Sequence, residues 1–504
     1  MEPVAQHVHQ PEVSFDGGDL DCGGGLLLLI RRHIDPLRPG GLLEILSTDS
    51  TVEVELPAWC RLTKNELISW TREGRQRSYL VSKGPFTGVA QAPAGERTVS
   101  LGQQLRVAVN IPDRLPPPAL APKIAPLSVM GIGSWPRPRW MLQAIHDRLE
   151  GRLEEADFQA TADDAVRLCL DSQLRAGADV LTDGEQRRDS YASFVGGLLD
   201  NCQLIPLSDL TAMVDDPDEF EQELRALDVP AAEVRHPVVY GSLGRSRPLA
   251  VHEHEFALSC TDRPLKVALP GPYLLTRTMW MDCLTERPYD TREELAQDVV
   301  RVLREELHYL LAAGTPLVQF DEPVLSEVVF GASSQNRTFM CGALSEKLEP
   351  EIELDFASSL LNEVVTGLPP ERLGLHICRV NWTRDESAAL IGDYRPLLGV
   401  LKRAEVGTLF LELCTERAGE AEVLREIPSD KRIGVGVVNQ KLDSVEPCDQ
   451  ILRRIRRAAD LFGQERVLLT PDCGFATFAD NPVASASIAE AKLRAVVEAR
   501  DRYA

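Results

Sequence analysis

The sequence lacks long apolar runs and is poor in basic residues. Its longest apolar stretches, such as residues 26–30, are far shorter than the roughly 20 residues of a membrane-spanning helix. Its 54 lysines and arginines are outnumbered by 77 aspartates and glutamates, so the formal charge is −23, whereas sequence-independent nucleic-acid binding requires clustered basic residues. We therefore expect neither a membrane nor a nucleic acid as a partner. The first residues show no basic and apolar secretory signal, which predicts a cytoplasmic protein.

The eleven cysteines are scattered over 504 residues and lack the spacing of a small disulfide framework. In a cytoplasmic protein such cysteines are expected to be free thiols, metal ligands or catalytic groups. The chain is also too long for one small module, and its apolar content of 44% is ordinary for globular protein. We expect more than one domain and a sizeable core.

A proline-rich stretch divides the chain. Residues 112–126 contain six prolines, which disfavour regular structure and predict an extended linker. Residues 1–84 show a β-α-β-α-β-β pattern of a small α+β domain, and residues 127–504 form the larger unit. We place the linker at residues 85–126.

The larger unit alternates apolar, strand-like runs with amphipathic helical ones. Eight such runs in about 380 residues favour an α/β fold of the (β/α)₈ TIM-barrel type, with a doubly wound sheet as the alternative. An acidic insertion is predicted at about 208–259. Its residues 252–255 (His-Glu-His-Glu) offer metal ligands, but a solvated acidic surface is the simpler interpretation. The eight runs are SVMGIGSW, ADVLTDGE, PLKVALPGP, PLVQFDEP, RLGLHIC, VGTLFLELC, RIGVGVVNQ and RVLLTPDCG.

Polar and reactive side chains close most of these runs at their C-terminal ends. That face of a (β/α)₈ barrel carries the active site, so we expect these residues to form one site. Strand alternation places His376 and Cys378 on the same side, and with Glu412 and Cys473 they offer a tetrahedral zinc set. The alternative for a lone His-x-Cys is core packing. The residues concerned are Ser134, Glu185, Asp321, Glu322, His376, Cys378, Glu412 and Cys473.

The motifs around these residues resemble one known family. GIGSWP, LTDGEQRRD, LPGPYLL, VQFDEPVL, GLHICRVN, FLELC and LLTPDCGF occur in the order found in the catalytic barrel of cobalamin-independent methionine synthases, the MetE family. The resemblance covers most of residues 128–504. It implies a barrel of the type shared with uroporphyrinogen decarboxylase and a methyltransferase that makes methionine from homocysteine.

The resemblance also implies roles for individual residues. It places the zinc ligands at His376, Cys378, Glu412 and Cys473. It places homocysteine contacts at Ser134, Glu185 and Asp321, with Asp321 also counted as catalytic.

Two departures from the family pattern concern the methyl donor. Lys441 stands near the position of a family histidine that serves folate, and Trp280 is displaced by two residues from the family's tryptophan. The donor is therefore left open between methyltetrahydrofolate and a methylated corrinoid protein. A zinc-dependent C–S bond-forming or lyase reaction on another thiol is the alternative function, and a barrel without catalysis is a third. The chain resembles the short form of the family, without a second barrel.

The first 84 residues resemble the TusA/SirA-like sulfur-carrier family. Asp19-Leu20-Asp21-Cys22 leads into a predicted helix, as does the reactive cysteine of that family, although Gly23-Gly24-Gly25 replaces the family's Pro-x-Pro. A helix N-terminus stabilises a thiolate. The resemblance implies that Cys22 is a candidate persulfide carrier with a sulfur-relay partner. A retained fold with a structural or docking role is the alternative.

Overall fold

We describe the fold from a computed structural model of the 504-residue chain. It describes residues 3–20, 25–88, 98–99, 109–207, 235–280, 288–330, 349–379, 383–384, 390–418, 421–479 and 482–503.

The N-terminal unit has the predicted order of strands and helices. Its five-stranded sheet has the order β3-β4-β2-β1-β5, with β1 parallel to β2 and the pairs β2–β4 and β3–β4 antiparallel. Two helices pack their apolar residues against this sheet around a buried Phe15. Strand β5 lies within the segment that we predicted to be linker, and it pairs parallel with β1. The elements are β1 Val13–Asp16, α1 Leu27–Ile34, β2 Leu42–Ser47, α2 Val52–Leu62, β3 Glu66–Glu73, β4 Gln76–Ser82 and β5 Thr98–Val99.

Six of the eight predicted runs in the larger unit form a parallel sheet. Its order is β13-β12-β11-β10-β9-β8, so sequential strands are neighbours throughout. Both faces of the strands are buried, as expected for a parallel sheet covered by helices. These strands are β8 Lys266–Pro270, β9 Leu317–Asp321, β10 Leu373–Ile377, β11 Thr408–Leu411, β12 Arg432–Val438 and β13 Val467–Pro471.

The other two predicted runs close this sheet into a ring. Met130 N–H donates to Leu469 O at 3.0 Å, and Leu469 N–H donates to Ser128 O at 3.0 Å. On the other side Met130 bridges Val180, and Leu181 N–H donates to Pro264 O at 2.9 Å. The eight runs thus follow one another around a closed parallel barrel, although the first two make only short bridges.

Helices surround the barrel and the residues before β8 form an additional hairpin. Its two strands, β6 Asp200–Pro206 and β7 Arg235–Gly244, are antiparallel. In the described part of the chain, no helix has both the length and the apolar character of a membrane span. The remaining elements, numbered in chain order, are α3 Arg139–Leu149, α4 Glu155–Ala176, β6 Asp200–Pro206, β7 Arg235–Gly244, α5 Val251–Ser259, α6 Pro272–Met279, α7 Arg292–Ala312, α8 Val324–Phe330, α9 Pro350–Val365, α10 Leu398–Arg403, α11 Cys448–Phe462 and α12 Ala486–Tyr503.

The hairpin also joins the two units. The Tyr240 hydroxyl donates to Leu28 O at 2.9 Å, and Gln203 Nε2 donates to Asp35 Oδ2 at 2.7 Å. Leu28 on α1 belongs to the main core of the barrel unit. The N-terminal unit is therefore docked on the insertion through α1.

Helix α5 shows that the acidic insertion is not all solvated surface. Glu253 is buried and accepts two hydrogen bonds from Arg188, at 2.7 and 3.0 Å. Arg188 also donates to Ala268 O of β8 at 2.8 Å. Our interpretation of residues 252–255 as solvated surface is wrong for Glu253 and His254, because they face the barrel. The ion pair connects the loop after the second run to α5, and the hydrogen bond to Ala268 connects the same loop to β8.

Candidate functional site

The predicted site residues meet at the C-terminal ends of the strands. A partly open cavity lies there. Six of the eight strand-closing residues line it, whereas Glu322 and Glu412 do not. The lining residues are Ile132, Ser134, Glu185, Tyr191, Asp321, Pro323, His376, Cys378, Cys473, Gly474 and Thr477.

One histidine and two cysteines form a close group in this cavity. The candidate ligand atoms of His376, Cys378 and Cys473 lie within 4.8 Å of one another, and all three residues are buried. A hydrogen bond between the thiols of Cys473 and Cys378, followed by burial, holds the pKa of Cys473 well above its usual value. Two adjacent buried thiols can both be deprotonated only if a cation balances their charge. Imidazole and thiolate donors at this spacing suit zinc.

The hydrogen bond of His376 determines which ring nitrogen faces the thiols. His376 Nδ1 lies 2.8 Å from Asp321 Oδ1, and an ionised carboxylate only accepts hydrogen bonds, so Nδ1 carries the proton. Nε2 is buried without a hydrogen-bond partner among the described residues. Burial disfavours the charged ring, but the bond to Asp321 raises the pKa of His376 overall. A metal would bind the lone pair of Nε2, and Asp321 would orient the His376 ring through its hydrogen bond to Nδ1.

Glu412 lies beside this group but does not belong to it. Its Oε2 accepts a hydrogen bond from Arg379 N–H at 3.1 Å. Burial, and then the nearby Asp472 and Cys378, raise the pKa of Glu412 well above its usual value. Lys441 acts in the opposite direction and is itself buried. The structure thus brings three of the four predicted ligands together and places the fourth next to them.

Two carboxylates face the cavity on the side of the early strands. Asp321 Oδ1 accepts from both His376 and Gln319 Nε2, the latter at 2.7 Å. Glu185 has a φ of +55° and is buried, and its Oε2 has no hydrogen-bond partner among the described residues. Burial, and to a smaller extent Asp321, raise the pKa of Glu185 to about 7, against the effect of Arg188. A cation such as an ammonium group would satisfy both carboxylates.

Two glycines give these side chains their space. A Cβ at Gly133 would lie 2.2 Å from Glu185 Oε1, and one at Gly474 would lie 2.2 Å from Ser134 Oγ. Ser134 Oγ accepts from Ala476 N–H at 3.3 Å. The first and last strands therefore approach each other closely where Ser134 lies.

Sequence reasoning missed Asp472, which precedes Cys473. Asp472 Oδ1 accepts from the backbone N–H groups of Leu413 and Cys414, at 3.0 and 3.1 Å, and Cys414 Sγ donates to its Oδ2 at 2.8 Å. Asp472 thus holds the turn that follows Glu412. The thiol of Cys414 is engaged by this carboxylate. The motif TPDCG, which places an acidic residue directly before Cys473, was the available signal for Asp472.

Glu322 has a structural contact. Its carboxylate accepts from the N–H groups of Tyr273 and Leu274, at 2.8 and 3.0 Å, in the first turn of α6. Burial raises the pKa of Glu322 to about 8, although these bonds oppose the shift. At the other end of α6, Trp280 is buried.

The unpartnered Glu185 predicts a specific pH dependence of stability. Its folded pKa of about 7 exceeds the ordinary value of 4.5, so its contribution is fully present below pH 4.5 and is lost as the pH rises through 7. The glutamine of Glu185→Gln cannot ionise. The free energy of unfolding of this variant, relative to that of the wild type, should therefore rise by on the order of 3 kcal/mol from pH 4.5 to pH 8. Thermal unfolding at both pH values measures this, with the exposed Glu255→Gln as control. An equal stability difference at the two pH values would contradict the assignment.

The larger unit matches the model of a known protein family. The family model described as "Cobalamin-independent synthase, Catalytic domain" matches residues 127–347 and 391–500. The matched segments contain Ser134, Glu185, Asp321, Glu412 and Cys473, while His376 and Cys378 lie between them.

Two curated relatives of similar sequence are methionine synthases. The methionine synthase of Saccharolobus solfataricus is 26% identical over 378 residues, covering 75% of this chain and 94% of the relative. That of Sulfurisphaera tokodaii is 26% identical over 344 residues, covering 68% and 84%.

The solved structure of a B12-independent methionine synthase from a Shewanella species, in complex with selenomethionine, has a TM-score of 0.55 at 22% identity and covers 75% of this chain and 98% of that one. The putative enzyme of Listeria monocytogenes has a TM-score of 0.53 at 18% identity, covering 76% and 99%. These two structures support the fold. The prediction of a methyltransferase is confirmed, and the chain belongs to the cobalamin-independent synthase catalytic-domain family.

Proposed function

We propose that this enzyme transfers a methyl group to the sulfur of homocysteine and forms methionine, with zinc held by His376, Cys378, Glu412 and Cys473. The observation that carries the proposal is the group of His376, Cys378 and Cys473 in the same cavity as two carboxylates. The named relatives are methionine synthases. Homocysteine combines a thiol with an α-ammonium group, which matches these two kinds of donor.

The donor set fits zinc. His376 Nε2 is a buried nitrogen without a partner among the described residues, and two thiols lie beside it. Glu412 is the proposed fourth ligand and a weak one, since it also bonds the backbone of Arg379. When bound, zinc supplies a Lewis acid that keeps the substrate thiol deprotonated at neutral pH.

The carboxylates position the amino-acid end of the substrate. Glu185 Oε2 has no partner among the described residues, and Asp321 has its Oδ1 engaged by His376 and Gln319. We propose that both receive the α-ammonium group of homocysteine, while Ser134 Oγ donates to its carboxylate. A bound ammonium group would also stabilise the ionised form of Glu185. An amino-acid thiol is therefore favoured over a thiol that has no ammonium group.

The proposed transfer is a direct displacement. The substrate sulfur, as thiolate, attacks the methyl carbon, and the new S–C bond forms as the bond between methyl and donor breaks. The donor leaves with the electron pair of that bond. The protein's contribution is to hold the sulfur, through the amino-acid end, in line with the methyl group.

The methyl donor is proposed to be methyltetrahydrofolate or a methylated corrinoid protein. Lys441 stands near the position at which the family resemblance places a folate-serving histidine, which favours the corrinoid protein as donor. We expect methionine to form from homocysteine with at least one of these donors, and faster with the corrinoid protein. Equal rates with folate would contradict the inference from Lys441, and no methionine with any donor would contradict the proposed function. Chromatography of labelled methionine measures each rate.

The proposed ligands predict the effect of removing one thiolate. Cys473→Ser should lose bound zinc, because a hydroxyl is a much weaker zinc donor than a thiolate. Cys414→Ser is the matched control and should keep its zinc, since Cys414 Sγ bonds Asp472. Elemental analysis of the purified proteins measures the zinc content. Full zinc retention in the Cys473 variant would contradict the proposed coordination.

We further propose that Cys22 carries sulfur as a persulfide. Its thiolate would take the outer sulfur from the persulfide of a sulfur-relay partner, whose thiolate is released, and would pass that sulfur in the same way to a thiolate acceptor bound at the barrel, so that Cys22 leaves as thiolate. The β-α-β-α-β-β order of the N-terminal unit and the docking of α1 on the hairpin support this proposal. Cys22 itself lies outside the described residues. If delivery is obligatory, Cys22→Ser abolishes product formation, while Cys60→Ser, a buried cysteine of the same unit, does not. Unchanged turnover of free homocysteine by the Cys22 variant would contradict obligatory delivery.

A further inference from the structure

A buried lysine lies inside the barrel near the candidate site. Lys266 opens β8 and is 1% exposed. Its Nζ donates to Gln319 Oε1 at 2.6 Å and lies 4.4 Å from the centroid of the Phe410 ring. A buried ammonium group carries a large desolvation cost, and here the group that accepts its hydrogen bond is the neutral amide of Gln319. This position therefore does not serve stability in an obvious way.

A series of hydrogen bonds connects Lys266 to the proposed site through Gln319 and Asp321. Gln319 Nε2 donates to Asp321 Oδ1 at 2.7 Å, and His376 Nδ1 donates to the same oxygen at 2.8 Å. Strand register places these groups side by side, because Gln319 pairs with Ala268 on one side and with Gly374 on the other. The small residues at both positions leave space for the chain of side chains.

While Lys266 is protonated, this series of hydrogen bonds has only one possible orientation. An ammonium group can only donate and an ionised carboxylate can only accept, so Lys266 turns the oxygen of Gln319 toward itself and the NH₂ toward Asp321. Asp321 Oδ1 is then held by two donors, and His376 must present its bare Nε2 to Cys378 and Cys473. Without Lys266 the amide could rotate and place its oxygen against the carboxylate.

We infer that Lys266 and Gln319 are positioning residues, which act through Asp321 to orient His376 toward the metal and Asp321 toward the substrate. The inference rests on the proposed function for the identity of metal and substrate. The lowered pKa of Lys266, about 7 and caused by burial, agrees with a costly internal charge. Neither side chain lines the cavity that contains the candidate site, so both act by orienting Asp321 and His376 and not by contacting the substrate.

The test is a double-mutant cycle on zinc affinity. Lys266→Met and Gln319→Leu should each weaken zinc binding about 10-fold, in the range known for residues that support metal ligands. The double variant should lose about the same factor, because both changes break one chain of contacts. Lys431→Met is the matched control: its Nζ bonds backbone carbonyls of Ala404 and Val406, so zinc affinity should not change. Competition with a chromophoric chelator measures each Kd.

A conservative variant covers the case in which the apolar variants do not fold. Gln319→Glu keeps the shape and the acceptor for Lys266 but directs an oxygen at Asp321, and it should also weaken zinc binding about 10-fold and raise the KM for homocysteine more than it lowers kcat. Unchanged Kd in folded variants, or losses that multiply to about 100-fold in the double variant, would overturn the inference.

A metal-free measurement separates this inference from the proposed function. In metal-free protein labelled with ¹⁵N-histidine, at a pH high enough for His376 to be neutral, its signals should show a protonated Nδ1 and a bare Nε2. Gln319→Leu should change this tautomer, while Lys431→Met should not. Identical signals in wild type and Gln319→Leu would overturn the inference. A wild type that binds no zinc or makes no methionine would contradict the proposed function. The His376 signals would still show whether Lys266 and Gln319 orient that ring.

Discussion

The backbone hydrogen bonds that close the parallel sheet are the constraint on which the site depends. Met130 bonds Leu469, so the first strand-like run of the barrel lies beside the last. This closure brings Ser134 next to Gly474, although 340 residues separate them in the chain. Because all strands run in the same direction, their C-terminal ends surround one cavity. The His-Cys-Cys group therefore draws its members from the end of β10 and from the residues that directly follow β10 and β13.

The second constraint is the cost of burying carboxylates, and the buried glutamates differ in the partners that offset this cost. Burial raises the pKa of Glu322 and of Glu412, and both accept hydrogen bonds from backbone N–H groups. Glu253 is paired with Arg188. Glu185 alone among these four leaves a buried oxygen without a partner in the described part of the chain. It is also the one that lines the cavity, and an unsatisfied buried group that faces a cavity indicates a ligand.

Much of this could be predicted from the sequence because strand periodicity and strand ends are local properties. The alternation in HIC places His376 and Cys378 on one side, and the structure agrees. The pattern of the first 84 residues predicted the order of their elements correctly. The solvated interpretation of residues 252–255 was wrong for Glu253 and His254, since the partner of Glu253 is Arg188, which lies 65 residues away. The position of Glu412 beside the His-Cys-Cys group depends on Arg379 and could not be predicted either.

The sequence by itself determined the type of fold, the strands and the residues that end them, because those follow from periodicity and from side-chain chemistry. Only the tertiary structure decided which atoms meet. In the sequence Lys266 and Gln319 are single polar residues within apolar runs. Their hydrogen bonds toward Asp321 and His376 depend on the register of β8, β9 and β10. Hydrogen bonds depend on distances of a few tenths of an ångström between distant parts of the chain, and periodicity carries no such information.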